Sequence, residues 1–388
     1  MSKVIMVGCD LHDRTLVIRF AVGRKKPQQA SFANDARGRG NMIERLYDVA
    51  QQLHAERIVF AYEASAQGYG LADLLLENRI ECHVLSPTHL PKTAKSAKNK
   101  TDSKDAQMLL EQVRGFVLAG NTLPTVWTPP QRVRDDREII RARIDAADEL
   151  TRVKTQVLSM LKRRGIEKPA WYHCKWGKRF AQWLRDLAKT LDSMVAPVLE
   201  SLIDRYELFR AEILRLDEAV RQLAKTDRYR AAHNELRKMP GIGLLTAMSF
   251  LTDMGDLHRF DNRRQVAAYL GACPSSFESG EANDRKGRIT RQGPSRLRKL
   301  LCQASWVAQR YCLETKQTYT RIRGGKSNRT KKAIVAVMRR LGIKMWHRAL
   351  SCGVSSELVG RPAERHGRCA NGSPPTPALL LAGRQQTI

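Results

Sequence analysis

Two apolar runs near the start of the chain each stop on a carboxylate, and this constrains the fold more than any other feature. VIMVGC, residues 4–9, leads straight into Asp10, and RIVFAY, residues 57–62, leads straight into Glu63. A charge at the end of a buried strand is costly unless it is paired or coordinated. Between these runs lie a β-branched stretch, residues 16–22, set off by a turn at Asp13, and a short third run, residues 28–32. The first run and the β-branched stretch read as a hairpin. Residues 40–53 carry Ile43, Leu46, Val49 and Ala50 at helical spacing. Residues 70–77 read as another helix, and residues 80–85 as a strand closed by Ser86-Pro87. Strands that first pair antiparallel and then alternate with helices predict an α/β unit, a mixed sheet flanked by helices.

That order is of the ribonuclease H kind. If the strands ending in Asp10 and Glu63 are neighbours, their carboxylates meet at one end of the sheet. A second acidic pair lies in KTAKSAKNKTDSKDAQMLLEQ, residues 92–112. Lysines 92, 95, 98 and 100 precede Asp102, and strong helix formers follow from Ala106. Thr101 or Asp102 can cap that helix. Asp102 and Asp105 then share its first turn and point the same way. Acids there also suit the helix dipole, and each strand-end acid taken singly suits a residue reaching water. Gathered in one cleft, the four would repel one another without a cation. Beside lysines they suit a divalent ion that also meets phosphate. His12 is near Asp10, but a lone histidine suits a surface position, and it is left out of the ligand set.

Charge narrows the partners. The chain has 388 residues, enough for two or three domains, with 68 Lys and Arg against 39 Asp and Glu, a net charge of +29. Such an excess points to a polyanion, with nucleic acid ahead of a membrane surface. No apolar run is long enough to span a bilayer, and the N-terminus reaches an acid too soon for a signal peptide. The 8 cysteines form no CxxC pair, which predicts reduced thiols in a cytoplasmic protein.

Thr128-Pro129-Pro130 marks a boundary. Domains are expected at 1–127, 128–228 and 229–355, with an aperiodic, disordered tail at 356–388. The middle region holds charged helices over residues 131–164, 178–189 and 191–223, each with a narrow apolar stripe. They suit an antiparallel coiled-coil hairpin or self-association arm, or equally an ordinary bundle. Trp171, Trp176 and Trp183 lie among Lys and Arg, where they can stack on bases or pack a core. In the third region, expected to be mostly helical, Pro240-Gly241-Ile242-Gly243 resembles the helix-hairpin-helix turn. The glycines of that turn, here Gly241 and Gly243, let backbone N–H groups approach phosphate. Residues 275–293 read as a long polar loop before a helix over 295–310. Arg296 and Arg298 oppose the dipole of that helix, a placement that makes sense beside an anion. A serine in such a loop can act as a nucleophile toward phosphorus or simply serve the turn. Residues 319–332 read as a second basic loop.

These segments together resemble the DEDD transposases of insertion-sequence family 110, the bridge-RNA-guided recombinases, to which the Piv-type DNA invertases are related. VGCDLH, AYEAS and KTDSKDA carry the N-terminal likeness; MPGIG, YLGACPSSFESGE and GRITRQGPSRLRKLLCQASW carry the C-terminal one. The resemblance implies a domain like the RuvC resolvase, with the acidic tetrad on Asp10, Glu63, Asp102 and Asp105 holding Mg2+ or Mn2+. It implies a nucleophilic serine at Ser279, before Gly280, with Ser275 and Ser276 close by, and a covalent phosphoserine intermediate. It also implies a composite active site between subunits, dimers that assemble to a tetramer, donor and target DNA, a structured guide RNA, and a bacterial cytoplasm with the nucleoid as workplace. Lys98, Lys100, Lys104, Arg285, Lys286, Arg288 and Arg291 are placed to meet nucleic acid, as transition-state cations or as backbone clamps. Two other readings compete. One is a metal-dependent nuclease or junction resolvase using the acids alone. The other is a noncatalytic nucleic-acid-binding protein.

Overall fold

The computed structural model describes residues 3–90, 101–173, 176–277, 285–353 and 355–358. The expected tail at 356–388 lies almost wholly outside them. The described residues fall into two compact units divided after Thr128.

The first unit is built on a five-stranded sheet. Its strands are β1 (Val4–Leu11), β2 (Thr15–Val22), β3 (Gln28–Ala33), β4 (Arg57–Glu63) and β5 (Glu81–Leu85), in spatial order β3-β2-β1-β4-β5. β1 pairs antiparallel with β2 and parallel with β4; β2–β3 is antiparallel and β4–β5 parallel. The mixed sheet expected from the order of elements is therefore present. Its helices are α1 (Ala36–Gln52), α2 (Gly70–Glu77) and α3 (Asp102–Ala119). Asp35 caps α1, its carboxylate accepting from the Gly38 N–H at 2.7 Å. At the sheet edge, burial works against the Glu81 carboxylate, but hydrogen bonds from His83 and Arg57 prevail and hold its pKa at about 2.

Alternation sorts β1 onto two faces. Ile5, Val7 and Cys9 pack with Met42, Leu46 and Leu75 of α1 and α2. Val4 and Met6 pack with Leu109, Leu110 and Val113 of α3. Gly8 lies on the α3 face, and there the helix comes down onto the strand backbone. A Cβ at Gly8 would overlap backbone atoms of Leu110 and Ala106.

The second unit is almost wholly helical. α4 (Gln131–Arg163) and α6 (Ala196–Lys225) run antiparallel, with Arg143 paired to Asp217 and Gln156 bonded to Arg205. α5 (Lys178–Thr190) packs against one end of them. Trp171, Tyr172, Trp176 and Trp183 gather round the buried Phe180, with ring centroids 4.2–6.5 Å from it. Of the two uses open to these tryptophans, the structure shows core packing. α7 (Asp227–Arg237) is anchored to α4 by the buried Asp136, which accepts from Arg228 at 2.8 Å and from Tyr229 at 2.9 Å.

The remaining helices are α8 (Leu244–Met254), α9 (Arg263–Tyr269), α10 (Ser295–Tyr311), α11 (Leu313–Arg323) and α12 (Thr330–Ser351). Two expected loops are corrected here. The described ends of the 275–293 segment pair as a ribbon, β6 (Pro274–Phe277) with β7 (Arg285–Ile289). Short polar strands carry no alternating apolar signal, so the sequence hides them. The second basic loop is helical at both ends, because α11 runs on to Gly324 in the left-handed conformation, with φ +56°, and α12 begins at Thr330.

Gly8→Ala is expected to cost the first unit about 1–3 kcal/mol or more, since backbone cannot yield to the added methyl as a side chain would. Hydrogen exchange resolved by segment checks this. Amides of β1 and α3 should lose protection while those of α4–α12 keep theirs.

Candidate metal centre

Strand parity decides where the acids point. Asp10 has the parity of Val4, Met6 and Gly8 and so lies on the α3 face of β1. Along β4, Val59 and Ala61 pack on that same face, and Glu63 continues their parity. Gly8 sits opposite Ala61 in the parallel register, so two residues further on Asp10 and Glu63 occupy neighbouring strands on one face.

α3 supplies the other pair. Thr101 is its N-cap, with no side-chain bond; its carbonyl accepts from the N–H groups of Lys104 and Asp105 at 2.8 and 3.1 Å. Asp102 and Asp105 occupy the first turn. Two bonds hold this end of the helix over the sheet. Arg19 donates to Gln107 at 2.8 Å, and Ser103 donates to Gln29 at 2.7 Å.

The residue that sequence reasoning passed over stands in the middle. His12 Nε2 lies 3.0 Å from Asp10 Oδ2 and 3.4 Å from Asp102 Oδ1. Donor atoms of Asp10, His12 and Asp102 all lie within 4.8 Å of one another. The available signal was the i, i+2 spacing of Asp10 and His12, which places both on one side of an extended chain. Burial raises the Asp10 carboxyl above its usual range; His12 pulls it back, while Asp105 and Asp102 push it up again. Asp105 thus acts on Asp10 through charge, and Glu63 is half-buried at the adjacent strand end. Among the described residues, Asp105 and Glu63 stand outside the 4.8 Å group.

This donor set fits a divalent cation. It offers carboxylate oxygens and an imidazole nitrogen, and the charges of Asp105 and Asp102 raise the proton affinity of Asp10, which a cation would relieve. Asp10 and Asp102 would hold the ion, with Asp105 close enough to act on Asp10 through its charge.

Other expected site residues are dispersed. Ser279, Lys98 and Lys100 lie outside the described residues. Lys104 is exposed on the first turn of α3. Arg285, Lys286 and Arg288 belong to β7, where the Arg288 carbonyl accepts from Ser275 at 3.0 Å. Arg291 is exposed, with φ +57°. Arg296 pairs with Asp145 of α4 at 2.9 Å, and Arg298 donates to the Gln292 and Gly293 carbonyls at 3.0 and 2.9 Å. Their place at the start of α10 thus has internal partners. Gly241 is needed for packing, because a Cβ there would overlap the Ala304 carbonyl of α10. A Cβ at Gly243 would meet only the tip of Arg237. Among the described residues, no helix is long and apolar enough to cross a membrane.

Known proteins share both ends of this arrangement. A family model described as a transposase matches residues 7–165, and the model of the IS116/IS110/IS902 transposase family matches residues 233–320. A putative transposase, y4qE, of Sinorhizobium fredii is 30% identical over 65% of this chain, which spans 59% of that relative's length. The transposase for insertion sequence element IS1533 of Leptospira borgpetersenii is 23% identical over 79% of this chain and 86% of its own. The pilin gene-inverting protein of Moraxella bovis is 22% identical over 88% of this chain and 94% of its own.

Asp10→Asn is expected to raise the melting temperature of the metal-free protein near neutral pH. The folded-state pKa of Asp10 is raised, so its charged form is the one that folding disfavours. The penalty is full above that pKa and vanishes below the unfolded value. The gap between variant and parent should therefore close as pH falls toward the ordinary aspartate range. Melts in chelator at stepped pH test this, and a variant less stable at neutral pH contradicts it.

Proposed function

We propose a reaction on one premise: this chain belongs to the IS116/IS110/IS902 transposase family. It is a DNA recombinase of an insertion sequence, cutting and rejoining DNA at the acid cluster on the α3 face of the first sheet. The observation that carries this reading is the convergence of Asp10 and Asp102, from separate elements, on a single 4.8 Å group. Four carboxylates, Asp10, Glu63, Asp102 and Asp105, form the acidic surround. A bound Mg2+ or Mn2+ supplies Lewis acidity toward phosphate oxygens and neutralises charge there.

In this reading Ser279 is the nucleophile. Its Oγ–P bond forms as a DNA phosphodiester P–O bond breaks. The serine proton leaves to a base and the departing sugar oxygen takes one up, so no ATP is consumed. A serine alcohol is weak at neutral pH and must be brought to the acid cluster, here from a neighbouring copy of the chain. Dimers form through the α4–α6 hairpin and assemble further. Arg285, Lys286, Arg288 and Arg291 flank the serine in sequence and steady the charge that builds on nonbridging oxygens. The Pro240–Gly243 turn, open at Gly243, offers backbone N–H groups to phosphate in the manner of a helix-hairpin-helix. A structured guide RNA reads the target, and the protein holds backbone and shape.

Asp102→Asn should abolish strand cleavage while nucleic-acid binding stays within about twofold, since a single exposed carboxylate contributes little to a salt-driven affinity. Unchanged cleavage removes Asp102 from the site. Ser279→Ala should abolish the covalent protein–DNA adduct. If cleavage in magnesium survives that change with no adduct formed, the acids act alone as a nuclease. An adduct that persists moves the nucleophile to Ser275 or Ser276.

A further inference from the structure

The acidic tetrad leaves one residue of the cluster without a role. His12 follows β1 directly, and its backbone is pinned on both sides. Its N–H donates to the Thr15 carbonyl at 2.9 Å, and its own carbonyl accepts from Asn34 Nδ2 at 2.6 Å. A side chain on so fixed a backbone has few places to go. The one it takes puts a single ring nitrogen between two carboxylates from separate elements. The ring is 47% exposed, so an incoming ion can reach it.

We propose that His12 is a nitrogen ligand of the divalent cation, completing with Asp10 and Asp102 a mixed oxygen and nitrogen site. The spacing supports this. Donors on adjacent corners of an octahedral ion at about 2.1 Å stand roughly 3 Å apart, and the His12 nitrogen lies 3.0 and 3.4 Å from its two carboxylate neighbours. Those distances serve equally as hydrogen bonds while the nitrogen carries a proton. With the ring proton carried on Nδ1, the Nε2 lone pair would be free for the ion, and both carboxylates would turn from the imidazole to the cation. The chemical consequence is selectivity. An all-carboxylate site suits Mg2+, whereas an imidazole donor shifts preference toward Mn2+ and the later divalent ions. The competing role is a brace, with His12 tying the start of α3 to β1 and never touching metal.

This inference rests on the acid-cluster reading, and the two fail differently. The full-length protein, stripped with chelator and titrated with MnCl2 alone, is examined by electron paramagnetic resonance, with electron spin-echo modulation to detect nitrogen bound to manganese. The expected result is bound Mn2+ that shows 14N modulation in the parent, with the modulation lost in His12→Gln. The same variant should also narrow the preference for Mn2+ over Mg2+ in competition. Bound Mn2+ that is lost in Asp10→Asn yet shows no 14N modulation in the parent makes His12 a brace and overturns the inference while the acid cluster stands. Modulation that persists in His12→Gln also overturns it. Mn2+ binding indifferent to Asp10→Asn overturns both. The parent spectrum decides even if a variant fails to fold.

Discussion

The approach of α3 to β1 at Gly8 is the contact on which the first unit turns. Most helices meet a sheet through side chains, and a rotamer change can absorb small errors there. At Gly8 the helix backbone itself lies on the strand, where a methyl group would not fit. Backbone against backbone leaves almost no slack. That contact fixes the height of α3, and the Arg19–Gln107 and Ser103–Gln29 bonds fix its first turns over β2 and β3. The first turn carries Asp102, and the strand beneath it carries Asp10 two residues beyond the glycine. The position of the acidic pair is therefore a consequence of packing settled elsewhere on the same face.

The packing brings like charges together inside a chain whose overall charge is strongly positive. The net +29 does little to relieve this. Charges more than about 10 Å away are screened by salt, so only near neighbours count for Asp10. Those neighbours are a buried strand, two further carboxylates and one imidazole. Of these, only the imidazole favours the ionised acid, and it is a single group placed between two claimants. A compact dication answers that arrangement better than a flexible lysine would, because it presents its charge to several oxygens at once.

The strand face and strand end of Asp10 and Glu63 were legible and the position of His12 was not, for one physical reason. A strand has period two, and a carboxylate ending an apolar run announces both its face and its end of the sheet; Asp10 and Glu63 could be placed from that alone. His12 has the right parity, but its distance to Asp102 depends on the Thr15 turn, the Asn34 bond and the height of α3, none of which is local. The same limit explains the arginines of α10. Their conflict with the helix dipole is visible in sequence, but Asp145, which answers Arg296, lies on a distant helix. At Pro240–Gly243 the turn was legible, while the packing of Gly241 on α10 needed the fold. The β6–β7 ribbon was missed because its strands are short and mostly polar in sequence, with no alternating apolar pattern to read.

Charge in the second unit has a different logic. Every Lys, Arg, Asp or Glu between Glu314 and Glu357 is a cation. Lys344 pairs with Glu314 and Arg348 with Glu235, so these two are answered within the fold. Lys316, Arg321, Arg323, Lys326, Arg329, Lys331 and Lys332 crowd the α11–α12 corner with no acid in their own stretch. The aromatic groups of this corner face inward: Tyr319 is buried with Ile334 and Val337, and Trp306 packs against them. Such a surface offers charge, with Tyr311 at the end of α10 as an exposed ring close by in sequence. It can hold phosphates, and its hold would weaken steeply with salt, but it has little with which to tell one base from another. Sequence choice cannot come from such a surface, because contacts to phosphate position a duplex without reading its bases.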